Sequence, residues 1–508
     1  MIYEAIMQTI AGEKINLKDL LFDIIRAEAP LDCLITGIAI DSHKVQAGDL
    51  FLAYRGEVLD GRDFIVDAVS KGATAVLCED AIPTKSAISN VVPIIVVPNL
   101  KKQVGIIAAK FYGYPARKLT LIGVTGTNGK TSITQFIAAA LTDLGLPCGV
   151  IGTIGVGFAQ KLSPVINTTP DPVTLQHWLY KLKNEGAKAV AMEVSSHSLM
   201  QQRITGIDFK IAVFTNLTRD HLDYHGTMEN YGAAKKLLFM QPGLQYAIIN
   251  ADDEFGQKLI AELKASIKVY ACTIKDTLTE EVPTVAAKDV ELDISGITAQ
   301  VATPWGEGLL KSRLLGRFNL SNLIAVLAVL GVMKMNIAAA LTSIKKLETV
   351  NGRMQTFGGD KKPLIVVDYA HTPDALEQAL LALRECCHGA IWCVFGCGGA
   401  PRDRGKRPMM GQIAERYSDH IIITNDNPRA ENPQQIINDI LQGLLCPWAA
   451  EVEQDRRAAI AHAIDCASAN DVVLVAGKGH EDYQIIGKEK LPFSDQEVIK
   501  KILDSKFE

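Results

Sequence analysis

The sequence predicts an α/β protein: a small N-terminal α/β domain, a central doubly wound and mostly parallel sheet, and a C-terminal domain of Rossmann-like type. Three observations lead there. Apolar runs of strand length alternate with helical stretches over most of the 508 residues. One such run, LTLIGV, passes through a glycine-containing turn directly into a helical stretch. The runs after Asn351 each end in polar residues, at the carboxyl ends where open α/β sheets bind ligands.

Residues 1–99 alternate CLITGIAID, DLFLAY, TAVLCE and VPIIVVP with polar turns and two helical stretches, which gives the small first domain. It carries no nucleotide fingerprint, although IDSHKVQAGDLFLAYRG followed by DGRDF has the turn chemistry of a loop at a ligand's edge. Residues 100–350 repeat strand then helix through LIGVTG, VAMEVS, KIAVFTNL, YAIINA and VYACT, the pattern of a doubly wound parallel sheet. Between Glu280 and Ser312 short alternating strands predict a hairpin insertion, and GRFNLSNLIAVLAVLGVM then predicts a helix whose start is capped by polar residues. Residues 351–508 bring PLIVVDYAH, AIWCVFG, HIIITND and DVVLVAGKG, and Asn351-Gly352-Arg353 before them suits a hinge.

Hydrophobic residues make up 48% and charged residues 21%, with a net charge of -5, so the chain is globular and not disordered. The mild acidity argues against nucleic acid as a main partner. With no signal-like start and no apolar run of spanning length, the expected location is cytoplasmic, without membrane insertion, and the expected state is a monomer. The ten cysteines include no C-x-x-C pair, so buried free thiols are expected even where Cys386, Cys387, Cys393 and Cys397 lie close together.

The chemistry starts at GTNGKTS. The usual phosphate loop has four residues between its glycines; here Gly123 to Gly129 encloses five and Gly126 to Gly129 two. The strand and helix around it are nevertheless those of such a loop. The turn Gly126, Thr127, Asn128, Gly129 presents backbone N–H groups to phosphate, Lys130 reaches the terminal phosphates, and the helix begins near Thr131 and Ser132. ATP is the expected ligand, with the Thr131 hydroxyl directed to Mg²⁺. Glu193 and Ser195 follow a strand, where a carboxylate can hold that ion. A second polar cluster after a strand contains His221, Asp223, His225, Lys235 and Lys236.

Taken in order, GTNGKTS, EVSSHSL, TNLTRDHLDYHG, AAK, NGRM, DYAHTPDAL, DNPR and AGKGHEDYQ resemble the Mur ligases of peptidoglycan synthesis over nearly the whole chain. Folylpolyglutamate synthetases share the loop and the chemistry, but not DHLDYHG and DNPR. The resemblance implies a domain for the UDP end of the substrate, a central ATPase domain and a C-terminal domain that receives an amino acid. It also implies ligation of meso-diaminopimelate to UDP-MurNAc-L-Ala-D-Glu, with ATP and Mg²⁺, through an acyl phosphate. Ligation of L-lysine or another amino acid, and a regulatory P-loop ATPase that forms no bond, stay open as alternatives.

By the same resemblance Thr131 and Glu193 belong to one Mg²⁺ and His221 to a second, and Lys235 matches the family's carbamylated lysine, whose added carboxylate reverses the relation of a cation to the metal. Asn322, Arg353 and Asp368 match the base and ribose contacts. Ser42, Asn167, Thr168, Thr169, Ser195, Gln201 and Arg203 match contacts to the UDP-sugar peptide, while Glu57, Val58 and Leu59 depart from the family's loop and leave uracil to backbone groups. Arg402, Asp426, Asn427, Pro428, Arg429, Gly477 and Glu481 match the acceptor site. The segment GCGGAPRDRGKR carries one residue more than the compared form, which leaves Arg404 and Arg407 as alternatives to Arg402. In this reading Arg429 binds the distal carboxylate that distinguishes diaminopimelate from lysine, Glu481 the distal ammonium, and His371 is a weak candidate for general base.

Overall fold

The computed structural model describes residues 14–22, 24, 32–57, 59–80, 92–275, 281–293, 295–359, 362–400 and 403–507. The chain forms two compact units. The first comprises Met1–Ile122, Pro147–Lys210 and Gln241–Gly243, the second Gly123–Leu146, Ile211–Met240 and Leu244–Glu508.

In the first unit, Gly37–Ala39, Asp49–Ala53, Ala75–Cys78 and Ile94–Val96 form a four-stranded parallel sheet. One face packs Leu50, Leu52 and Leu77 against the helix Leu100–Phe111, which contributes Val104 and Ile107, and against Leu17 and Leu20; the other packs Phe51, Val76 and Cys78 on Ile65 and Ala68. Two-sided burial is why these strands read as continuous apolar runs. The same unit holds Cys148–Gly152, parallel to Ala189–Glu193, with Gly155–Phe158 and Lys161–Ser163 added antiparallel. None of the three strands in 148–163 is expected from sequence, because glycines interrupt them and leave little alternation to read.

In the second unit, Ile211–Phe214, Tyr246–Asn250 and Lys268–Thr273 run parallel. The expected hairpin is a three-stranded antiparallel meander, Thr284–Asp293, Gly296–Thr303 and Gly306–Ser312, which continues the sheet because its first strand pairs parallel with Lys268–Thr273. The helix Arg317–Val332 has no side-chain cap, contrary to expectation: Gly316 stands at its start with φ 87, and a Cβ there would meet Ala382 at 2.5 Å. Its two asparagines, Asn319 and Asn322, are buried instead. Asn319 Nδ2 donates to Leu315 O (2.9 Å), and Asn322 Nδ2 to Asn319 Oδ1 (3.3 Å).

The rest of this unit is built on a six-stranded sheet whose order is Gln355–Gly358, Leu364–Asp368, Val472–Ala476, Ile391–Phe395, His420–Ile423 and Ala450–Val452. All but the first strand are parallel. Val366, Cys393, Phe395 and Leu474 face one apolar core and Val367, Val394, Val473 and Val475 the other. This is the doubly wound arrangement, and it gathers the ends of the central strands, Asp368, Gly396, Thr424 and Gly477, along one edge of the sheet.

Cys78, Cys148, Cys272, Cys386, Cys393 and Cys397 are buried free thiols, as expected, whereas Cys33 and Cys387 are half-buried and Cys446 and Cys466 exposed. Among the described residues no helix is long and apolar enough to cross a membrane.

Candidate active site

The phosphate loop follows the strand Thr120–Thr125, and the helix starts at Lys130, earlier than the sequence suggests. Gly126 and Gly129 have φ 147 and 86, which favour glycine, and a Cβ at Gly126 would collide with the Thr215 hydroxyl. Backbone and side chains of the neighbouring strand end brace the turn. Thr127 N donates to Asn216 O (2.8 Å), Asn128 N to Asn216 Oδ1 (2.9 Å), and Thr215 Oγ1 to Asn128 O (2.6 Å).

The cations of the loop rest on its own carbonyls. Lys130 Nζ donates to Gly126 O (2.9 Å) and Thr127 O (2.8 Å), and Lys235 Nζ reaches the same Gly126 O at 2.6 Å. Lys235 is 1% exposed and its Nζ lies 4.2 Å from the centre of the Tyr231 ring. Burial first, and the charge of Lys130 second, push its amine well below the ordinary lysine range, while Asp220 pulls the other way. Lys236, next in sequence, points outward and pairs with Glu262.

His221 stands beside this loop in a left-handed conformation, φ 53, with Nε2 3.3 Å from Asp220 Oδ2. Burial works to raise the Asp220 carboxyl, but His221, His371 and Lys406 outweigh it and hold it below the usual carboxylate range. His371 Nδ1 lies 2.8 Å from Tyr369 O, so that nitrogen carries the proton, and burial brings the imidazole down to about 4.

The three expected base and ribose residues converge here. Asn322 Oδ1 would lie 2.7 Å from a Cβ on Gly129. Arg353 Nη2 donates to Thr131 Oγ1 (3.2 Å), its guanidinium lies 4.4 Å from the Tyr369 ring centre, and its Nε is buried with no acceptor among the described residues. Asp368 accepts from Met354 N (2.8 Å); burial raises its carboxyl and Arg353 opposes the rise. Gly352, read as a hinge, has φ 68 and packs directly on the backbone of Gly479 and His480. Asp374 is not anticipated: its Oδ2 accepts from Asn128 Nδ2 at 2.7 Å, a contact 246 residues apart that no sequence pattern announces.

The residues expected at the acceptor site form a second constellation in the same unit. Asn427 Nδ2 donates to Glu481 Oε2 (2.9 Å), and a Cβ on Gly477 would lie 2.8 Å from Asp426 Oδ2. Pro428 is buried, and Arg429 adopts φ 54 as its N bonds Ile485 O (3.0 Å). The Arg429 guanidinium rests on Gly399 O and Asn427 O, both at 3.3 Å, and caps no helix; Asn432 caps Pro433–Leu441. Arg402 lies outside the described residues. Of its alternatives, Arg404 pairs with Glu431 (3.0 Å), and Arg407 is wholly buried and paired with Glu431 (2.8 Å) and Asp439 (2.7 Å). Lys478, unexpected from sequence, completes the group with Nζ 3.0 Å from Glu481 Oε2.

In the first unit Glu193 is the last residue of its strand and 1% exposed, with Oε1 accepting from Thr153 N (2.8 Å) and Oε2 from Thr153 Oγ1 (3.1 Å). Thr153 Oγ1 also meets Thr168 Oγ1 (3.0 Å), and Thr169 Oγ1 donates to Glu193 O (2.8 Å). Ser195 caps the helix Ser196–Met200, its Oγ accepting from Ser198 N at 3.1 Å. Arg203 Nη1 donates to Thr169 O (2.9 Å) and its Nε to Gln201 Oε1 (2.9 Å). Asn167, Gln201 and Arg203 line a groove with Tyr54, Glu57, Lys101 and Asp171, whereas Ser42 is buried beside Asp67 and does not line it.

Among the described residues no three His, Cys, Asp or Glu side chains cluster as a metal cage. Taken singly, the Thr131 hydroxyl in the second unit and the buried Glu193 carboxylate in the first are oxygen donors of the kind Mg²⁺ accepts, an ion that takes most of its other ligands from phosphate and water.

The chain resembles known proteins over almost its whole length. Three family models match it: "Mur ligase family, catalytic domain" at residues 34–112, "Mur ligase middle domain" at 124–330 and "Mur ligase, glutamate ligase domain" at 352–479. It is 50% identical over 472 residues to the UDP-N-acetylmuramoyl-L-alanyl-D-glutamate--2,6-diaminopimelate ligase of Coxiella burnetii, covering 93% of this chain and 96% of that one. A solved structure of a ligase of the same title superposes with TM-score 0.69 at 35% identity, covering 97% of this chain and all 100% of the other. The fold is shared at 18% identity and TM-score 0.60 with the MurF ligase of Thermotoga maritima in complex with ADP, covering 87% of this chain and 93% of that one. The chain belongs to the Mur ligase family.

Proposed function

We propose that the protein is an ATP-dependent ligase that joins meso-diaminopimelate to the D-Glu γ-carboxylate of UDP-MurNAc-L-Ala-D-Glu in peptidoglycan precursor synthesis. Lys235 carries the reading beyond ATP binding. Burial and the nearby Lys130 charge lower the proton affinity of the Lys235 amine beside the phosphate loop, which favours the neutral form that adds CO₂ to give a carbamate and a proton. A nucleotide switch has no use for such a group. The reading is supported further by the 50% identical relative and by the acceptor constellation around Asn427 and Glu481.

A carboxylate is a poor acyl donor. In the reaction proposed, a γ-carboxylate oxygen attacks the γ-phosphorus, ADP departs, and the acyl phosphate acquires a competent leaving group. The free amine then attacks the acyl carbon, and the tetrahedral intermediate expels phosphate and loses a proton. Two anions meet in the first step, so Lys130 must leave its carbonyl partners for the phosphate oxygens. One Mg²⁺ would be held by Thr131 and Glu193 and a second by His221, with the carbamate on Lys235 as a further anionic ligand, and the ions would supply further charge neutralisation when bound with ATP. Asn322, Arg353 and Asp368 hold base and ribose, and the unpartnered Arg353 Nε is a donor awaiting such a ligand. Asn167, Thr168, Thr169, Ser195, Gln201 and Arg203, with Ser42 as the weakest member, take the UDP-sugar peptide. His371, at about 4, is too weak a base to be given the amine's proton.

The proposed division of labour follows residues 1–99, 100–350 and 351–508, in a cytoplasmic monomer. Phosphate release measured with ATP, UDP-MurNAc-L-Ala-D-Glu and a panel of amino acids tests the reading. Release that requires both the dipeptide substrate and meso-diaminopimelate is expected; preference for L-lysine would reassign the acceptor, and release from ATP alone would point to a switch.

A further inference from the structure

Lys478 sits inside the acceptor constellation, yet its side chain is 0% exposed, so it cannot itself meet a ligand from solvent. Its Nζ donates to Asn427 Oδ1 (3.2 Å) and Glu481 Oε2 (3.0 Å). Asn427 Oδ1 also accepts from Ile485 N (2.9 Å), and Asn427 Nδ2 donates to the same Glu481 Oε2 (2.9 Å). These contacts dictate the amide's orientation: turned over, its NH₂ would face an ammonium and an N–H, and its oxygen a carboxylate. Glu481 Oε2 therefore carries two donors, while Oε1 takes no hydrogen bond among the described residues. The carboxylate is 13% exposed, so it is presented but not free to turn.

A buried cation that only neutralised charge would not need an amide partner in fixed orientation. We propose that Lys478 is a positioning residue for the acceptor amino acid: it clamps Glu481 and Asn427 so that one oxygen of Glu481 stays inside the protein and the other receives the ammonium group at the end of the acceptor that does not react. This rests on the ligase reading above. Lys478 lies outside the segment Asp426–Arg429 and contacts it across 51 residues of sequence, so it ties the two halves of the acceptor site together.

The test is steady-state phosphate release by the full-length parent, Lys478→Met, Lys478→Arg, Glu481→Gln and the Lys478→Met/Glu481→Gln double variant. Lys478→Met is expected to raise the acceptor KM by about tenfold or more, as expected when one partner of a buried charged pair is removed. The KM values for ATP and for the UDP-dipeptide should stay within about twofold, and the double variant should match Glu481→Gln because the two residues act as one unit. Lys478→Arg, which keeps the charge but not the geometry, should fall between parent and Lys478→Met. Should Lys478→Met not fold, the double variant, which removes both buried charges, and Lys478→Arg carry the same comparison. A merely structural lysine would shift all three KM values together and add to Glu481→Gln; that result overturns the proposal. So does an acceptor KM in Lys478→Met equal to that of a parent that ligates, which leaves the ligase reading standing. A parent that releases no phosphate with any amino acid overturns both.

Discussion

The phosphate loop and the acceptor constellation are both turns at the ends of parallel strands, but they hold their charges differently. At the loop, Lys130 donates to the neutral backbone carbonyls of Gly126 and Thr127. In the acceptor constellation, Lys478 is bound to the carboxylate of Glu481 and the amide of Asn427. A cation on carbonyls can be drawn to an incoming anion at small cost, whereas one in a buried ion pair is committed to its partner. Arg429 shows the rule from within the acceptor site, since it rests on two carbonyls at 3.3 Å and so is available to a ligand carboxylate. Available cations should act on the ligand and committed ones on geometry.

The largest expected effect tests the available side. Lys130→Ala should reduce turnover by about two to three orders of magnitude, the usual cost of removing a group that stabilises developing charge. Turnover close to the parent's would end the assignment of this loop. Lys235→Ala should be nearly inactive and partly restored by short carboxylic acids that fill the space of the missing carbamate. Lys236→Ala, removing only a surface pair with Glu262, should behave as the parent. The reverse outcome for these two neighbours would remove the carbamate from the scheme.

Arg429→Ala sharpens the comparison. Losing an available guanidinium should cost about 2 to 4 kcal/mol of transition-state binding with meso-diaminopimelate, while activity with lysine stays low or rises slightly because an unpaired cation no longer faces its apolar stem. A variant that keeps the parent's discrimination in competition assays would place the selectivity elsewhere.

The smallest effect is a control outside both regions. Burial first, then Lys181, lowers the His177 imidazole to about 4. Because the folded state binds its proton more weakly than the unfolded state, its contribution to stability is present above about pH 6.5 and is lost as pH falls toward about 4. His177→Phe should therefore lose less Tm between neutral pH and about pH 5 than the parent does. Equal losses in calorimetric scans would mean that His177 does not titrate in this window.

The elements legible in the sequence were those that depend on neighbours along the chain. The runs LIGVTG, KIAVFTNL, PLIVVDYAH and DVVLVAGKG are strands, and GTNGKTS is the turn it reads as, because side-chain alternation and glycine conformation are local properties. What the sequence by itself left undecided was decided by contacts between distant segments. Cys148–Gly152 is a strand because Ala189–Glu193 pairs with it, and the helix Arg317–Val332 starts at a glycine without a side-chain cap because a Cβ on Gly316 would meet Ala382. Local pattern does not separate Lys235 from Lys236; the resemblance singles out Lys235, and the fold buries it against a carbonyl 109 residues away while Lys236 pairs with Glu262 at the surface. Asp374 and Lys478 were invisible for the same reason: burial and ion pairing are relations between residues, and no single stretch of chain contains both partners.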